Sequence, residues 1–430
     1  MENASIFQID EKFIETDDIK SYEWNEYLPT SGSDLNVPGT ITINIESQDE
    51  FYHPRKSYLL VEGDLLKKAD GGGRFDAEQI TLANNGIMHL FSNFKYEISG
   101  QVIEDIYEPV IASLMMGLAK FPFSFPDGTG LMQCWCPDTS PAAVGDRAFA
   151  KRKEYITGKS DPKGSFSFII ELENMSGFVE DYDKVVYGMR HKLTLVRKAD
   201  DDALFRAGNV DDGKVVLSKI AWLMPRVHAS DDEKFKLYKK IANKDMEIDV
   251  GFRMRQCNTA EIPQGVTSFD WRLGVRSVPE RPRHILIGFQ TDKSGSQEKN
   301  PSLFNHVDVS QISIKLNDTR YPARDIVADF AKHQYVEYYK MFTDFARDYY
   351  GLDPLTCGNW VDIITYKEEY PIFYFDVSKQ SERLNDGVVD ITVRMKFRNG
   401  TPQHVRAYAL IISDRRIKFT GDGKRMNIIS

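Results

Sequence analysis

The sequence contains few of the residues on which disulfide-bonded, nucleic-acid-coating or membrane-spanning proteins depend. Its 430 residues include only four cysteines, too few for a disulfide framework in a chain of this length. Acidic residues outnumber basic ones by 64 to 55, and the net charge of −9 argues against a protein that coats nucleic acid. No run approaches the ~18 to 20 apolar residues that span a bilayer. The first residues lack the features of a secretory signal, so we expect a protein that is made inside the cell and not secreted.

Aromatic residues, by contrast, are plentiful. Phenylalanine, tyrosine and tryptophan (26, 20 and 5 residues) make up 12% of the chain, and hydrophobic residues make up 41%. This composition is typical of a globular protein with a large core. At ~150 residues per domain, the length suggests two or three domains.

The hydrophobic periodicity is mostly that of β-strands. Alternating apolar and polar residues predict half-buried strands, as in segments 40–45, 166–172, 268–275, 307–316 and 389–397. Helices are few. A proline at the first helical position predicts one over about 109–120, and aromatic residues at helical spacing predict another over about 324–350. A capping-box pattern from Ser230 to Glu233 opens a third helix.

The order of these elements repeats once along the chain. In each half, two strands flank a tight turn, a helix follows, and an irregular stretch then leads to an aromatic strand. The turns are Ser99-Gly100 and Asn317-Asp318, roughly half a chain length apart. The strand that opens at Thr40 is matched with one near Met246, and 215–217 with 405–407. The sequences of the two halves are otherwise unlike, so the repeat is one of architecture.

This repeat predicts a mainly β chain of two tandem eight-stranded antiparallel jelly-roll β-sandwiches, with a helix inserted before the sixth strand of each. A double-sheet jelly roll is one of the few ways in which eight antiparallel strands protect their edges. The predicted domains are residues 1–225, with a long loop at 121–165, and residues 226–430, with a loop at 351–370.

Most of the candidate chemical motifs fail on spacing. Gly158-Lys159-Ser160 lacks the earlier glycine of a phosphate-binding loop. Cys134-Trp135-Cys136 has no further ligands nearby and is interpreted as two reduced thiols beside a packing tryptophan. The aspartates at 200–202 lack the spacing of an EF-hand calcium loop and are interpreted as a solvated acidic loop.

No other catalytic or binding signature is present. The eight histidines are scattered without ligand spacing, and there is no nucleophile elbow, zinc helix or dinucleotide loop. We therefore expect no catalytic, cofactor-binding or metal-binding residues, no cofactor and no enzymatic activity. The basic residues Arg415, Arg416, Lys418, Lys424 and Arg425 are interpreted as a solvated tail, and no sequence-specific nucleic-acid binding is expected.

The chain resembles the double jelly-roll major capsid proteins of DNA viruses, especially the short forms of adintoviruses and Polinton-like elements. The segments that carry the resemblance are 90–104, 177–182, 219–225 and 371–378. The resemblance implies homotrimers with six similar wedges that tile an icosahedral virus shell, and it places the long loops on the outside. It also implies location in the virion and assembly inside the host cell. The implied partners are further copies of the chain, penton and minor capsid proteins, and an internal membrane.

Two alternatives remain open at this point. The first is a carbohydrate-binding or carbohydrate-active jelly-roll protein, in which Trp135 near Asp138, or Trp360 near Asp362, would stack on and hold a sugar. The second is a domesticated host copy of a capsid gene.

Overall fold

The computed structural model describes most of the chain. The described residues are 18–30, 34–46, 49–69, 72–140, 144–243, 247–273, 281–352, 361–379, 389–421 and 426–429. No helix among them is long and apolar enough to cross a membrane. Outside these ranges lie the segment Asn385-Asp386-Gly387, whose residue types predict a tight turn, and the residues Met246, Cys357, Trp360, Lys424 and Arg425.

The described residues of the first half form β-strands interrupted by three α-helices. Its strands are β1 Ile19–Tyr27, β2 Gly39–Ile45, β3 Phe51–Tyr52, β4 Tyr58–Lys67, β5 Ile80–Leu82, β6 Phe91–Ile98, β7 Gln101–Tyr107, β8 Ser165–Glu171, β9 Val186–Tyr187, β10 His191–Arg197, β11 Leu204–Arg206 and β12 Gly213–Ala229. Its helices are α1 Pro109–Lys120, α2 Arg147–Lys153 and α3 Gly177–Asp181.

The linking helix α4 and the second half complete the described chain. Helix α4 spans Asp231–Ala242, and the Ser230 side chain accepts a hydrogen bond from the Glu233 N–H at its start, as the capping-box pattern predicts. The strands that follow are β13 Glu247–Ile262, β14 Ser268–Leu273, β15 Arg281–Thr291, β16 Val309–Leu316, β17 Thr319–Tyr321, β18 Phe373–Asp376, β19 Ile391–Phe397, β20 Val405–Gly421 and β21 Met426–Ile429. The helices are α5 Val336–Tyr350 and α6 Ile363–Glu368.

The two halves have the same sheet topology. In the first half, one sheet has the order β1-β12-β4-β8 and the other β2-β10-β6-β7. In the second half, the orders are β13-β20-β15-β18 and β14-β19-β16-β17. Counting these eight strands in chain order, both halves read 1-8-3-6 and 2-7-4-5, with every neighbouring pair antiparallel. This is the jelly-roll arrangement.

The predicted fold is therefore confirmed, including the helix before the sixth strand of each sandwich. Helix α1 precedes β8 and helix α5 precedes β18. The remaining short strands lie outside the eight: β3 and β9 extend one sheet of the first half, β5 pairs with β11, and β21 adds to the edge of β20. The core between the sheets is aromatic, as the edge contact of Tyr96 with Trp222 at 6.0 Å illustrates.

Three local predictions differ from the structure. Helix α5 begins at Val336 and not near 324, because Asp329 and Gln334 pair through mutual backbone hydrogen bonds in a tight loop that precedes the helix. The loop 121–165 contains helix α2, whose Arg152 side chain is buried and pairs with Asp138 of the same loop. The strand at Thr40 is the second strand of its sandwich, whereas the strand after Met246 is the first.

Candidate functional site

The cysteine-tryptophan segment lies inside the protein. Cys134 and Cys136 are buried free thiols, and burial raises the pKa of Cys134 to about 11. The Trp135 ring meets Phe121 edge-on at 5.1 Å and fills the space beside Gly117. The interpretation as reduced thiols around a packing tryptophan is confirmed for these residues. Within the described ranges, no group of three or more histidine, cysteine or carboxylate side chains is arranged to hold a metal ion.

The proposed sugar contacts are wrong at Trp135 and Asp138. Trp135 is only 3% exposed, and Asp138 is fully buried against Arg152, which donates to its two oxygens at 2.9 and 3.0 Å. Neither side chain is available to a sugar. In the second pair, Trp360 lies outside the described residues, and Asp362 caps helix α6 by accepting the N–H groups of Ile364 and Thr365.

The other charged motifs have structural partners. Asp201 accepts from Lys68 and Gln297, and Asp202 accepts from the Gly295 N–H at 2.7 Å, so the acidic loop contacts the second half. Asp202 is less solvated than we expected for that reason. Three residues of the predicted solvated tail, Arg415, Arg416 and Lys418, instead lie in strand β20. Arg415 donates to the carbonyl oxygens of Ile103 at 2.5 Å and Val102 at 3.0 Å, whereas Arg416 is exposed.

The strongest concentration of buried charge lies between the two halves. We call this cluster the polar seam; its residues are Glu104, Lys120, Ser176, Glu180, Asp181, Arg253, Arg255 and Tyr349. All except Arg253, Arg255 and Tyr349 come from the first half. The seam follows strand β13, the first strand of the second sandwich, where β7, α1 and α3 pack against it.

Glu104 on β7 forms the centre of the polar seam. Its carboxylate is fully buried and accepts hydrogen bonds from the Ser176 hydroxyl, from the N–H groups of Gly177 and Phe178 at 3.2 Å each, and from the Arg255 N–H at 3.0 Å. Burial raises the pKa of Glu104, although these donors oppose the shift. One carboxylate thus connects the start of helix α3 to the backbone of β13.

Glu180 and Arg255 form an ion pair in the same region. The Arg255 guanidinium donates to Glu180 at 2.6 Å and to the Asn174 carbonyl at 2.7 Å, and Lys120 and the Tyr349 hydroxyl also reach Glu180, at 3.1 and 3.0 Å. Burial alone would raise the pKa of Glu180, but Arg255 and Lys120 outweigh it and lower the pKa to about 2. Glu180 therefore stays ionised inside the protein.

Asp181 and Arg253 extend the polar seam to the edge of β13. The Arg253 N–H donates to Asp181 at 2.8 Å, and its guanidinium also pairs with that carboxylate. The guanidinium lies 3.8 Å from the Tyr349 ring centre and donates to the Tyr349 carbonyl at 2.7 Å. At Gly177 a Cβ atom would collide with the Arg253 carbonyl oxygen, so only glycine permits this close approach.

A second buried contact joins the loops of the two halves. Asp138, paired with Arg152, also accepts from Asn300 at 2.6 Å, and its backbone carbonyl accepts from the Tyr370 hydroxyl at 2.7 Å. Beside it, the Gln297 side chain bonds both the N–H and the carbonyl of Gly213, at 2.8 and 2.9 Å. Among the described residues, the halves are thus joined by these loops as well as by the polar seam.

Strand β1 is the main exposed feature of the first half. It pairs only with β12 in the described chain, and it leaves a row of apolar residues in solvent. We call this row the β1 patch; its residues are Ile19, Tyr22, Trp24 and Leu28, which are 39 to 57% exposed. Trp24 rests on Tyr58 at 5.4 Å.

The polar seam and the β1 patch are not predicted from the sequence. The seam residues are far apart in sequence, and their only local signal is a charge within a strand pattern, as at Glu104 and Arg255. Strand β1 carries no clean alternation, because nearly all its residues are exposed. The polar seam joins the two halves of the chain, and the β1 patch is an apolar surface in contact with solvent.

Comparisons with known proteins agree on the fold. The profile of the double jelly roll-like domain family matches residues 150–417. No curated protein matches the sequence. Among solved structures, the chain is similar to one from the cryo-EM structure of the Sputnik virophage, with a TM-score of 0.61 and 9% identity, covering 97% of this chain and 90% of that one.

Two further structures give similar results. The Faustovirus major capsid protein has a TM-score of 0.57 and 8% identity, with 96% of this chain and 92% of that one covered. The mavirus major capsid protein has a TM-score of 0.51 and 12% identity, with 94% and 90% covered. At these identities the likeness is one of fold.

Proposed function

We propose, from the fact that this chain belongs to the double jelly roll-like family, that it is the major capsid protein of a DNA virus. The observation that carries the proposal is the pair of sandwiches with identical strand order, fixed to each other by the polar seam. A shell subunit needs a rigid block with several related side surfaces, and two matched sandwiches provide one. The family resemblance extends over 150–417, more than half of the chain.

The assembly that we propose is a homotrimer in which six sandwiches surround one axis. Three chains with two similar sandwiches each form a nearly hexagonal block that contacts its neighbours on all sides through related surfaces. Such blocks would tile an icosahedral shell. The two sandwiches would correspond to residues 1–225 and 226–430, with the loops 121–165 and 351–370 directed outward.

The proposed location is the virion, after assembly inside the host cell. The partners would be further copies of the chain together with penton and minor capsid proteins. The role needs no catalytic step, cofactor or sequence-specific contact with nucleic acid. The buried positions of Trp135 and Asp138 count against the carbohydrate alternative.

Native mass spectrometry and negative-stain electron microscopy of the purified chain test this proposal. We expect a species of three times 49.3 kDa with a hexagonal outline. A chain that stays monomeric at the highest attainable concentration, with no hexagonal particles, would contradict the assignment. A glycan array and a glycosidase panel should both be blank.

A further inference from the structure

The β1 patch and strand β13 occupy equivalent positions but have opposite surroundings. Each is the first strand of its sandwich and pairs with the long last strand, β12 or β20. On β13, Phe252 is 4% exposed because it meets Phe178 of the first half edge-on at 5.3 Å. On β1, Trp24 is 48% exposed. The first half thus covers β13, whereas the described contacts of Tyr22 and Trp24 on β1 are with residues of the same half and leave both rings more than one third exposed.

The backbone edges of the two strands differ in the same way. The N–H groups of Arg253 and Arg255 on β13 donate to Asp181 and Glu104 of the first half. The corresponding edge of β1 pairs with no strand in the described part of the chain. A nine-residue edge strand with exposed aromatic side chains is a surface on which another chain readily pairs.

We propose that the β1 patch is the site at which the second half of another copy of this chain docks, repeating between chains the contact that exists within one. This inference rests on the proposed capsomer function and adds the position of the contact. The surface that covers β13 includes β7, the fifth strand of the first sandwich. The fifth strand of the second sandwich is β17, so β17 and its neighbour β16 form the surface that meets β1.

The charges of the two surfaces are complementary. Strand β1 carries Glu23 and Glu26 against one lysine, Lys20; the two glutamates contact His228 and Lys219 and stay 52% and 42% exposed. The sheet that contains β16 and β17 carries Arg320, Arg394 and Lys396 around an open groove, where Asp325 and Asp270 pair with the two arginines and leave one positive charge in excess. Opposite charges at such a contact favour the correct partner and orient its approach.

The geometry of the contact also limits the assembly. A contact between the first half of one chain and the second half of the next is heterologous, because it joins two different surfaces. Repeated contacts of this kind produce a ring when the rotation closes. Since the two halves already form one such contact inside the chain, three chains provide the remaining three contacts of a six-sandwich ring.

The test compares Trp24→Glu with Phe123→Glu, a matched control at a 67% exposed phenylalanine in the loop after α1. Mass photometry and native mass spectrometry measure the concentration at which each variant assembles. We expect Trp24→Glu to require at least a tenfold higher concentration than the wild type. Phe123→Glu should assemble at the same concentration as the wild type. Circular dichroism spectra and melting temperatures equal to those of the wild type would establish that both variants fold.

The outcomes separate this inference from the proposed function. A wild type that never assembles contradicts the capsomer itself. A wild type and a Trp24→Glu variant that assemble at the same concentration contradict only the position of the contact.

A photo-crosslinking residue at position 24 provides a second measurement that does not depend on loss of assembly. We expect an interchain crosslink to residues 309–321 of another copy, identified by peptide mass spectrometry. Crosslinks confined to first-half peptides would overturn the inference.

Discussion

Replacement of Arg255 by methionine tests the polar seam directly. The Arg255 side chain is 2% exposed, and its guanidinium reaches Glu180 at 2.6 Å and the Asn174 carbonyl at 2.7 Å. Methionine keeps much of the apolar stem but removes these donors, and it leaves the Glu180 carboxylate buried. Removal of one partner of a buried ion pair costs about 3 to 5 kcal/mol. Because Lys120 and Tyr349 still contact Glu180, we expect the lower end, about 3 kcal/mol.

Urea unfolding is the suitable assay, since urea does not screen charges as guanidinium salts do. A loss of about 3 kcal/mol is a large part of the 5 to 15 kcal/mol by which proteins are usually stable, so the midpoint should fall clearly. The double variant Arg255→Met/Glu180→Gln should recover part of the loss, because it removes the unpaired charge as well.

Lys20→Met provides the control for this prediction. It removes an ion pair with Asp231 in which both side chains are mostly exposed, so the urea midpoint should not change.

The polar seam also joins the two halves, and its loss should separate their unfolding into two transitions. An Arg255→Met midpoint equal to that of the wild type would refute the argument that the buried pair stabilises the contact.

Three further changes have defined outcomes. Burial raises the pKa of Glu369 to about 7, with Lys293 opposing the shift. The stabilising contribution of the protonated Glu369 is therefore complete below about pH 4.5 and is lost as the pH rises through 7. In unfolding measured as a function of pH, Glu369→Gln should be more stable than the wild type at pH 8, by up to about 3 kcal/mol. Gly177→Ala should lower the free energy of unfolding by about 1 to 3 kcal/mol through its collision with β13, whereas Gly251→Ala, where a Cβ atom meets nothing within 4 Å, should not lose stability in this way. The buried thiol of Cys134 should react with a thiol reagent only after unfolding, and label found on the Cys134 peptide of the native protein within minutes would contradict its position.

The sequence was sufficient for features that depend on local patterns. Several elements depend only on residues that are close together in the sequence. They are the hairpin turns at 99–100 and 317–318, the helix over 109–120 and the capped start of α4. Their order then defined the repeat, because a jelly roll places a hairpin and a helix at fixed positions in its strand sequence. The fold class followed from that order and required no long-range information.

Features that depend on neighbours far along the chain were not accessible in this way. Val327 and Phe330 continue the apolar spacing of α5, yet Phe330 lies in a loop closed by Asp329 and Gln334, and Val327 precedes that loop. Strand β1 was missed because an edge strand exposed on both faces has no alternation to detect. Its omission also explains the incorrect match of the strand at Thr40 with the strand after Met246.

The polar seam places opposite charges on the two surfaces that meet within the chain. Its carboxylates, Glu104, Glu180 and Asp181, all come from the first half, whereas its arginines, Arg253 and Arg255, come from the second. A heterologous contact joins two different surfaces, so its two sides can carry different residues. The buried pairs then define which surface of the second half meets the first, because a shifted arrangement would leave a buried carboxylate without its arginine.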